Sequence, residues 1–388
     1  MVTVSPPGDS IQTTNDGFDY DMSNEVLFVP AGLILSTQTG TGVSSNTFAN
    51  LGLINNGEIL SLGPDDAVTF TSGSATVTNN ALGVIFGAAI ALNFNSGTNC
   101  QLTNLGQITG LNTGVNFGNV TSILCKNFGY IFGGSYGVGF EHTGGELDNF
   151  RAIKSDLTAI VVNTGANQLT TINNAHGATI NGLTDAVDAV AGMFRLSNHG
   201  TVIGAIQDEA NLNDGVVNFG VIRGSVLLGG GNDVFRDVGG GSSGPVFGGD
   251  GNDRLIGGSH ADQFYGGAGN DRLTGGGGKN SFFFDTALNA ATNVDTITDF
   301  TPGHDTIWLD FPFFGGGGTL GVLGGSISPG HFHNGAPVNG NAQVFYTRGN
   351  GYLYFDPDGT GASPAIHFAT LANHPFMHNT DFKLILEV

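Results

Sequence analysis

Aspartates recur every nine residues in one glycine-rich stretch of this chain. Gly248-Gly249-Asp250-Gly251-Asn252-Asp253-Arg254-Leu255-Ile256 is followed by Gly257-Gly258-Ser259-His260-Ala261-Asp262-Gln263-Phe264-Tyr265. Next come Gly266-Gly267-Ala268-Gly269-Asn270-Asp271-Arg272-Leu273-Thr274 and Gly275-Gly276-Gly277-Gly278-Lys279-Asn280-Ser281-Phe282-Phe283. An earlier copy, Gly229-Gly230-Gly231-Asn232-Asp233-Val234-Phe235, stands slightly out of phase. Another, Gly239-Gly240-Gly241-Ser242-Ser243-Gly244-Pro245-Val246-Phe247, has lost its Asp. Carboxylates and the peptide carbonyls of glycine turns are hard oxygen donors, the kind of set that holds a hard divalent cation. The apolar residue at the eighth position argues against a flexible acidic linker, which has no reason to alternate Leu and Phe.

This G-G-x-G-x-D-x-U-x pattern resembles the nonapeptide of RTX calcium-binding β-roll proteins. The resemblance implies that two nonapeptides make one turn of a parallel roll. Asp253 then lies above Asp271 and Asp262 above Asn280, with Leu255 on Leu273 and Phe264 on Phe282. It also implies Ca2+ between successive turns, in a shell of about six to eight oxygens. On one edge these come from Gly229, Gly231, Asp233, Gly248, Asp250, Gly251, Asp253, Gly266, Ala268, Gly269 and Asp271; on the other, from Gly257, Ser259, Asp262, Gly275 and Asn280. Lys279 and Asn280 weaken the last site, and Gly244-Pro245, with no Asp beside it, leaves its copy without an ion. Without metal the stacked carboxylates repel, and a thin core cannot offset the ordering entropy of so many glycines. Calcium binding is therefore expected to be folding free energy for this segment.

Other residues offer less chemistry. There is no His-Glu-x-x-His, and the close pair His331-Phe332-His333 has no Glu beside it and reads as a solvated loop. One charge-dense stretch, Glu146, Asp148, Arg151, Lys154 and Asp156, reads as solvated surface ion pairs, with a catalytic cluster as the alternative. No Ser or Cys nucleophile motif is present. Asp356-Pro357-Asp358-Gly359 fits a further calcium turn or a hairpin turn equally well. Cys100 and Cys125 fall one repeat apart but two residues out of step, which puts their Cα atoms about 8 Å apart. That exceeds disulfide reach, so two buried free thiols are expected.

The elements that carry these residues show a second, longer period. Between residues 50 and 227 an Asn-x-Gly-x-Ile pattern returns every 20 to 27 residues, for instance at Asn104-Leu105-Gly106-Gln107-Ile108 and Asn127-Phe128-Gly129-Tyr130-Ile131. Each unit holds two or three short strands and no helical period. Stacked units make a parallel β-helix of about eight coils, in which Ile59, Ile85, Ile108, Ile131, Ile153 and Ile222 form an inward ladder. Gly and Asn at the corners are expected in the left-handed conformation of a tight turn. The all-β fold is then a parallel β-helix, a calcium-binding parallel β-roll and a β-rich C-terminal cap. The expected division is a cap or assembly segment at 1–49, the β-helix at 50–227, the roll at 228–285, and a cap with a secretion signal at 286–388. Residues 1–49 carry no clear repeat and read as cover for an open β-helix end.

The run Asn293-Val294-Asp295-Thr296-Ile297-Thr298-Asp299-Phe300 through Leu309 resembles the segment that closes RTX rolls in serralysin-type secreted proteins. Gly351–Gly361, Ile366–Leu371 and Asp381–Val388 resemble the same C-terminal domain. That resemblance implies type I secretion through an uncleaved C-terminal signal, but no protease activity, because the zinc motif is missing. The opening Met1-Val2-Thr3-Val4-Ser5-Pro6-Pro7-Gly8 has no basic region, apolar core or cleavage site of a standard signal peptide.

Composition agrees. With 32 acidic against 11 basic residues the net charge is −21, which disfavours nucleic acid as a partner. No apolar run is long enough to span a bilayer. Two Cys in 388 residues exclude a disulfide scaffold. The expected function is a secreted, calcium-binding, structural or adhesive solenoid of a matrix, surface layer or fibre. Its expected partners are calcium, the type I secretion machinery, and either further copies of itself or a surface polysaccharide. The alternative is a polysaccharide lyase or epimerase acting on an acidic glycan.

Overall fold

A computed structural model describes residues 2–3, 10–13, 18–19, 23–45, 49–315 and 320–386. Most of the chain opening lies outside that set, as do the last two residues. The protein is all-β, and among the described residues its one α-helix is the single turn Phe311–Phe314. It divides into two compact units: 1–210 with 220–224, and 211–219 with 225–388.

The first unit is a parallel β-helix with three strand columns. In the first column Val26–Val29, Leu51–Asn55, Ser74–Asn79, Asn99–Asn104, Ile123–Asn127, Glu146–Asn149, Leu169–Asn174 and Met193–Asn198 pair in parallel, each with the next. Around one corner runs a second column, which includes Glu58–Ser61, Val84–Gly87, Gln107–Gly110, Tyr130–Gly133 and Ala152–Ser155. The third includes Val68–Phe70, Ile90–Gly97, Thr113–Val120, Tyr136–His142 and Thr158–Thr164. Alternation along each strand sends one face inward. Ile59, Ile85, Ile108, Ile131 and Ile153 pair rung on rung and are fully buried, and Ile180, Val202 and Ile222 extend the ladder. The third column stacks Phe70, Phe94, Phe117 and Phe140 with ring centroids 5.6, 5.0 and 5.5 Å apart. The segment read as a cap contributes a coil of the same kind: Val26–Val29, Ile34–Thr37 and Val43–Ser45 pair in parallel with the strands that follow.

The corners differ from the sequence expectation. Their asparagines are not left-handed; they are buried inside. Asn55, Asn79, Asn104, Asn127, Asn149, Asn174 and Asn198 form a ladder of side-chain amides, each NH2 donating to the next Oδ1 at 2.8–2.9 Å. Gly177, with φ 78° and nothing within 4 Å of a Cβ, is left-handed as expected, but other corner glycines are needed for close approach instead. A Cβ on Gly106 would lie 2.2 Å from the Gly83 carbonyl oxygen, and one on Gly129 would lie 2.1 Å from that of Gly106.

The second unit is a parallel roll with two columns. One contains Gly215–Asn218, Val234–Asp237, Arg254–Ile256, Arg272–Thr274, Asp295–Ile297 and Ile366–Leu371. The other contains Val226–Leu227, Val246–Asp250, Gln263–Ala268, Ser281–Phe284, Thr306–Asp310 and Phe382–Ile385. Leu255 lies on Leu273 and Phe264 on Phe282 inside. On the outer face Phe247, Tyr265, Phe283 and Trp308 stack at 4.3, 4.1 and 5.6 Å, and the Lys383 ammonium sits 4.9 Å from the Trp308 ring. Tyr352–Asp356 pairs antiparallel with Gln343–Thr347 and with Ile366–Leu371, so Asp356–Gly359 opens the connection between two antiparallel strands.

Candidate metal centre

The strand register brings the repeat aspartates into two buried columns, one on each edge. The amide of Asp214 donates to Asp233 Oδ1, that of Asp233 to Asp253 Oδ1, that of Asp253 to Asp271 Oδ1, and that of Asp271 to Asp295 Oδ1, at 2.7, 2.7, 2.8 and 3.0 Å. A second ladder runs beside it: the amides of Asn232, Asn252, Asn270 and Val294 donate to Asn213, Asn232, Asn252 and Asn270 Oδ1. On the opposite edge Asp262 donates to Asn280 Oδ1 at 3.1 Å, and Asn280 donates to Asp305 Oδ1 at 2.9 Å. Asp233, Asp253, Asp271, Asp295 and Asp305 thus each use one oxygen to bind an adjoining coil, whereas Asp262 accepts the Gly258 amide of its own turn at 3.2 Å.

The glycine turns make room for the other oxygen. Gly229 and Gly231, Gly249 and Gly251, and Gly267 and Gly269 all have φ between 79° and 144°, a region that strains other residues. The first-position glycines serve a different purpose. A Cβ on Gly248 would lie 2.3 Å from Asp253 Oδ2 and 2.6 Å from the Gly266 carbonyl oxygen. At Gly257 the same point meets Asp262 Oδ2 and the Gly275 carbonyl, both at 2.3 Å, and at Gly266 it meets Asp271 Oδ2 at 2.5 Å and Asp295 Oδ2 at 3.1 Å. Oxygens from two successive turns therefore converge beside each of these glycines. At Gly275 the neighbour is Asn280 Nδ2, an N–H donor where the other turns present an acceptor.

The electrostatics of these two columns are unresolved by the protein itself. Asp253, Asp262, Asp271 and Asp295 are at most 4% exposed, and among the described residues no basic side chain lies in ion-pair range of them. Asp253 Oδ2 and Asp271 Oδ2 are buried with no hydrogen-bond partner. Burial pushes Asp253 up to about 6, with the charge of Asp250 adding to it. Burial likewise pushes Asp262 and Asp271 up to about 7, reinforced by Asp237 and Asp253 respectively. Asp295 is raised further by burial and by Asp271. Among the described residues no three His, Cys, Asp or Glu side chains group tightly enough to hold a metal alone. Any ion here draws on carbonyls as well, and an all-oxygen donor set suits a hard cation.

Residues 247–282 match the RTX calcium-binding nonapeptide repeat, in four copies. Calcium is the cofactor of such repeats, and the unpartnered oxygens beside Gly248 and Gly266 fit it. No curated protein matches the chain. The geometry of the RTX column extends beyond the matched residues. Asp214 and Asp233 precede them, and Asp295 and Asp305 follow, stacked in the same two edges. Asp299 adds a clasp, accepting the amides of Gly275 and Gly276 at 2.8 Å each.

Not every residue expected to face an ion lies in the column. The Asp250 side chain is exposed, and so is Ser259, whose hydroxyl donates to the Gly239 carbonyl. The carbonyls of Gly229, Asp250 and Ala268 each accept an amide of the adjoining coil. The charge-dense stretch is not a cluster. Glu146 and Asp148 lie on one strand, Lys154 on the next strand around the corner, and Arg151 and Asp156 on exposed turns. His331 and His333 are half-exposed, with ring nitrogens 2.7 and 3.2 Å from the carbonyls of Ala342 and Gly330. Cys100 pairs with Ile123, and Cys125 with Leu102, so the two thiols are out of step as expected; both are free and buried. Burial pushes Cys100 up to about 11 and Cys125 higher still.

Proposed function

We propose that this chain is a secreted β-solenoid whose roll folds outside the cell on calcium and whose β-helix serves a structural or adhesive role in a matrix, surface layer or fibre. The observation that carries the calcium half is the burial of Asp253, Asp262, Asp271 and Asp295 with no basic side chain in ion-pair range among the described residues. An ion there neutralises stacked carboxylates. The chain's own part is to hold Asp253, Asp262 and Asp271 by backbone amides, with first-position glycines leaving space beside them. The residues proposed to hold calcium are those of the repeat turns from Gly229 to Asn280, with Asp295 and Asp305 added. Segment 286–388 is proposed as cap and type I export signal, and 1–49 as an end segment open to self-assembly. Proteins with RTX repeats are typically secreted, which supports this location, and among the described residues no helix is long and apolar enough to cross a membrane. The separation of Glu146, Arg151 and Lys154 gives the lyase or epimerase reading no support.

Trp308, the only Trp of the chain, reports on the roll. In chelator-treated protein its fluorescence should shift cooperatively as calcium rises through about 10⁻⁴–10⁻³ M. Gly248→Ala, whose Cβ meets Asp253 Oδ2, should move that midpoint to higher calcium. Gly240→Ala, with nothing within 4 Å and no left-handed φ, should leave it in place. A Trp308 signal indifferent to calcium would overturn the proposal.

A further inference from the structure

The residue directly after each of several buried asparagines of the first unit faces outward. In coil order these include Leu105, Phe128, Phe150, Ala175 and His199, kept in register by the pairing of Asn104, Asn127, Asn149, Asn174 and Asn198. Leu105, Phe128 and Phe150 are 39, 41 and 45% exposed, and the two Phe rings stack at 4.4 Å and 2°. Ala175 interrupts this stripe. Its corner is also longer, since Thr179 pairs with Ala152; Gly177 takes φ 78° there, and the added His176 lines the groove beside Ala175. The missing ring leaves a groove of about 400 Å3, with Phe150 and His199 at its ends and Ala175 between them. Asp148, Asn173, Asn174, His176 and Ser197 line it as well.

We propose that this groove binds one pyranose ring of a neutral polysaccharide, seated at the level of Ala175 between Phe150 and His199. Two rungs separate those levels by about 10 Å, which leaves one ring-thickness with stacking distance on both sides. Asn173 Nδ2 donates to Asp148 Oδ1 at 2.8 Å. The second Asp148 oxygen, the Asn173 carbonyl and the Ser197 hydroxyl then meet sugar hydroxyls. An aromatic side chain from another molecule would fill the gap but leave those three groups unpaired. Asp148 and the net charge of −21 disfavour a uronate or phosphate. Glycoside cleavage uses a pair of carboxylates; Asp148 is the one carboxylate lining the groove, so the site binds rather than cuts. It lies wholly in the first unit and does not rest on the calcium proposal.

The test uses the full chain in millimolar calcium, with saturation-transfer NMR and calorimetry. The probes are cellotetraose, maltotetraose, mannotetraose and, as the anionic arm, tetragalacturonate. At least one neutral tetramer should bind, and tetragalacturonate should bind about tenfold more weakly or not at all. Ala175→Phe completes the stripe and should abolish binding while the thermal midpoint holds or rises. Phe150→Ala should weaken binding by about tenfold. Binding by none of the neutral probes, preference for the galacturonate, or unchanged binding by Ala175→Phe would each overturn the proposal. Self-association that Ala175→Phe abolishes would assign the groove to a second copy and overturn it as well.

Discussion

Each buried carboxylate of the roll is held by one neighbour and repelled by the next, and this gives its titration a definite sign. In the metal-free fold Asp253 is raised from 3.8 to about 6, and Asp262 and Asp271 to about 7, chiefly by burial. A folded-state value above the unfolded one means that the fold binds protons more tightly. The resulting stability is fully present below about pH 4. It is lost as pH rises through 6 to 7. Chelator-treated protein should therefore need more urea to shift Trp308 fluorescence at pH 5 than at pH 8. With calcium the order reverses, because protons compete for the same oxygens, and affinity should fall between pH 8 and pH 5. Equal urea midpoints without metal at the two pH values would contradict the burial argument. The Asp253–Asp271 and Asp262–Asn280 pairs were legible in the sequence because the nine-residue period runs through them unbroken. Asp295 and Asp305 were not, since 24 and 25 residues separate them from their partners and the period is lost.

A strand of the β-helix is specified by what it stacks on, and its two ladders were unequally readable. The inward isoleucines announce themselves by recurrence at a fixed distance from the corner. The asparagines recur just as regularly, but Asn is common both in turns and in buried amide ladders, and sequence alone favoured the turn. The first coil was missed for a related reason: Val29 occupies the position that pairs with Asn55, so the marker residue is absent. The ladder's energetic weight is testable within one strand end. Asn127 donates to Asn149 Oδ1 and to the Ala152 carbonyl, and accepts from Asn104 and from the Gly129 amide. Asn127→Ala leaves several buried groups unpaired and should cost about 2–4 kcal/mol. The adjoining Phe128→Ala removes an exposed ring with one stacking partner and should cost about 1 kcal/mol. Urea unfolding in calcium measures both, and equal losses would mean that the amide ladder contributes no more than surface stacking.

Across the whole molecule the two units are stabilised by different means, so removing metal should separate them. The first encloses apolar ladders and neutral amides, with Glu25 and Asp208 its buried acids. The second encloses a column of acids around a thin Leu and Phe core, and its turns are glycines that gain the most freedom on unfolding. Calcium therefore acts on one unit through direct charge neutralisation; in the other the raised carboxylates Asp185 and Asp188 pair with Thr158 and Ala205 and with Val161 and Gln207, not with a column of further acids. Hydrogen exchange read by mass spectrometry distinguishes the two. In chelator, amides of residues 234–284 should lose protection while those of 74–198 keep it, and calcium should restore the former. Loss of protection by both units together would mean that the β-helix needs the metal too, which its neutral interior gives no reason to expect.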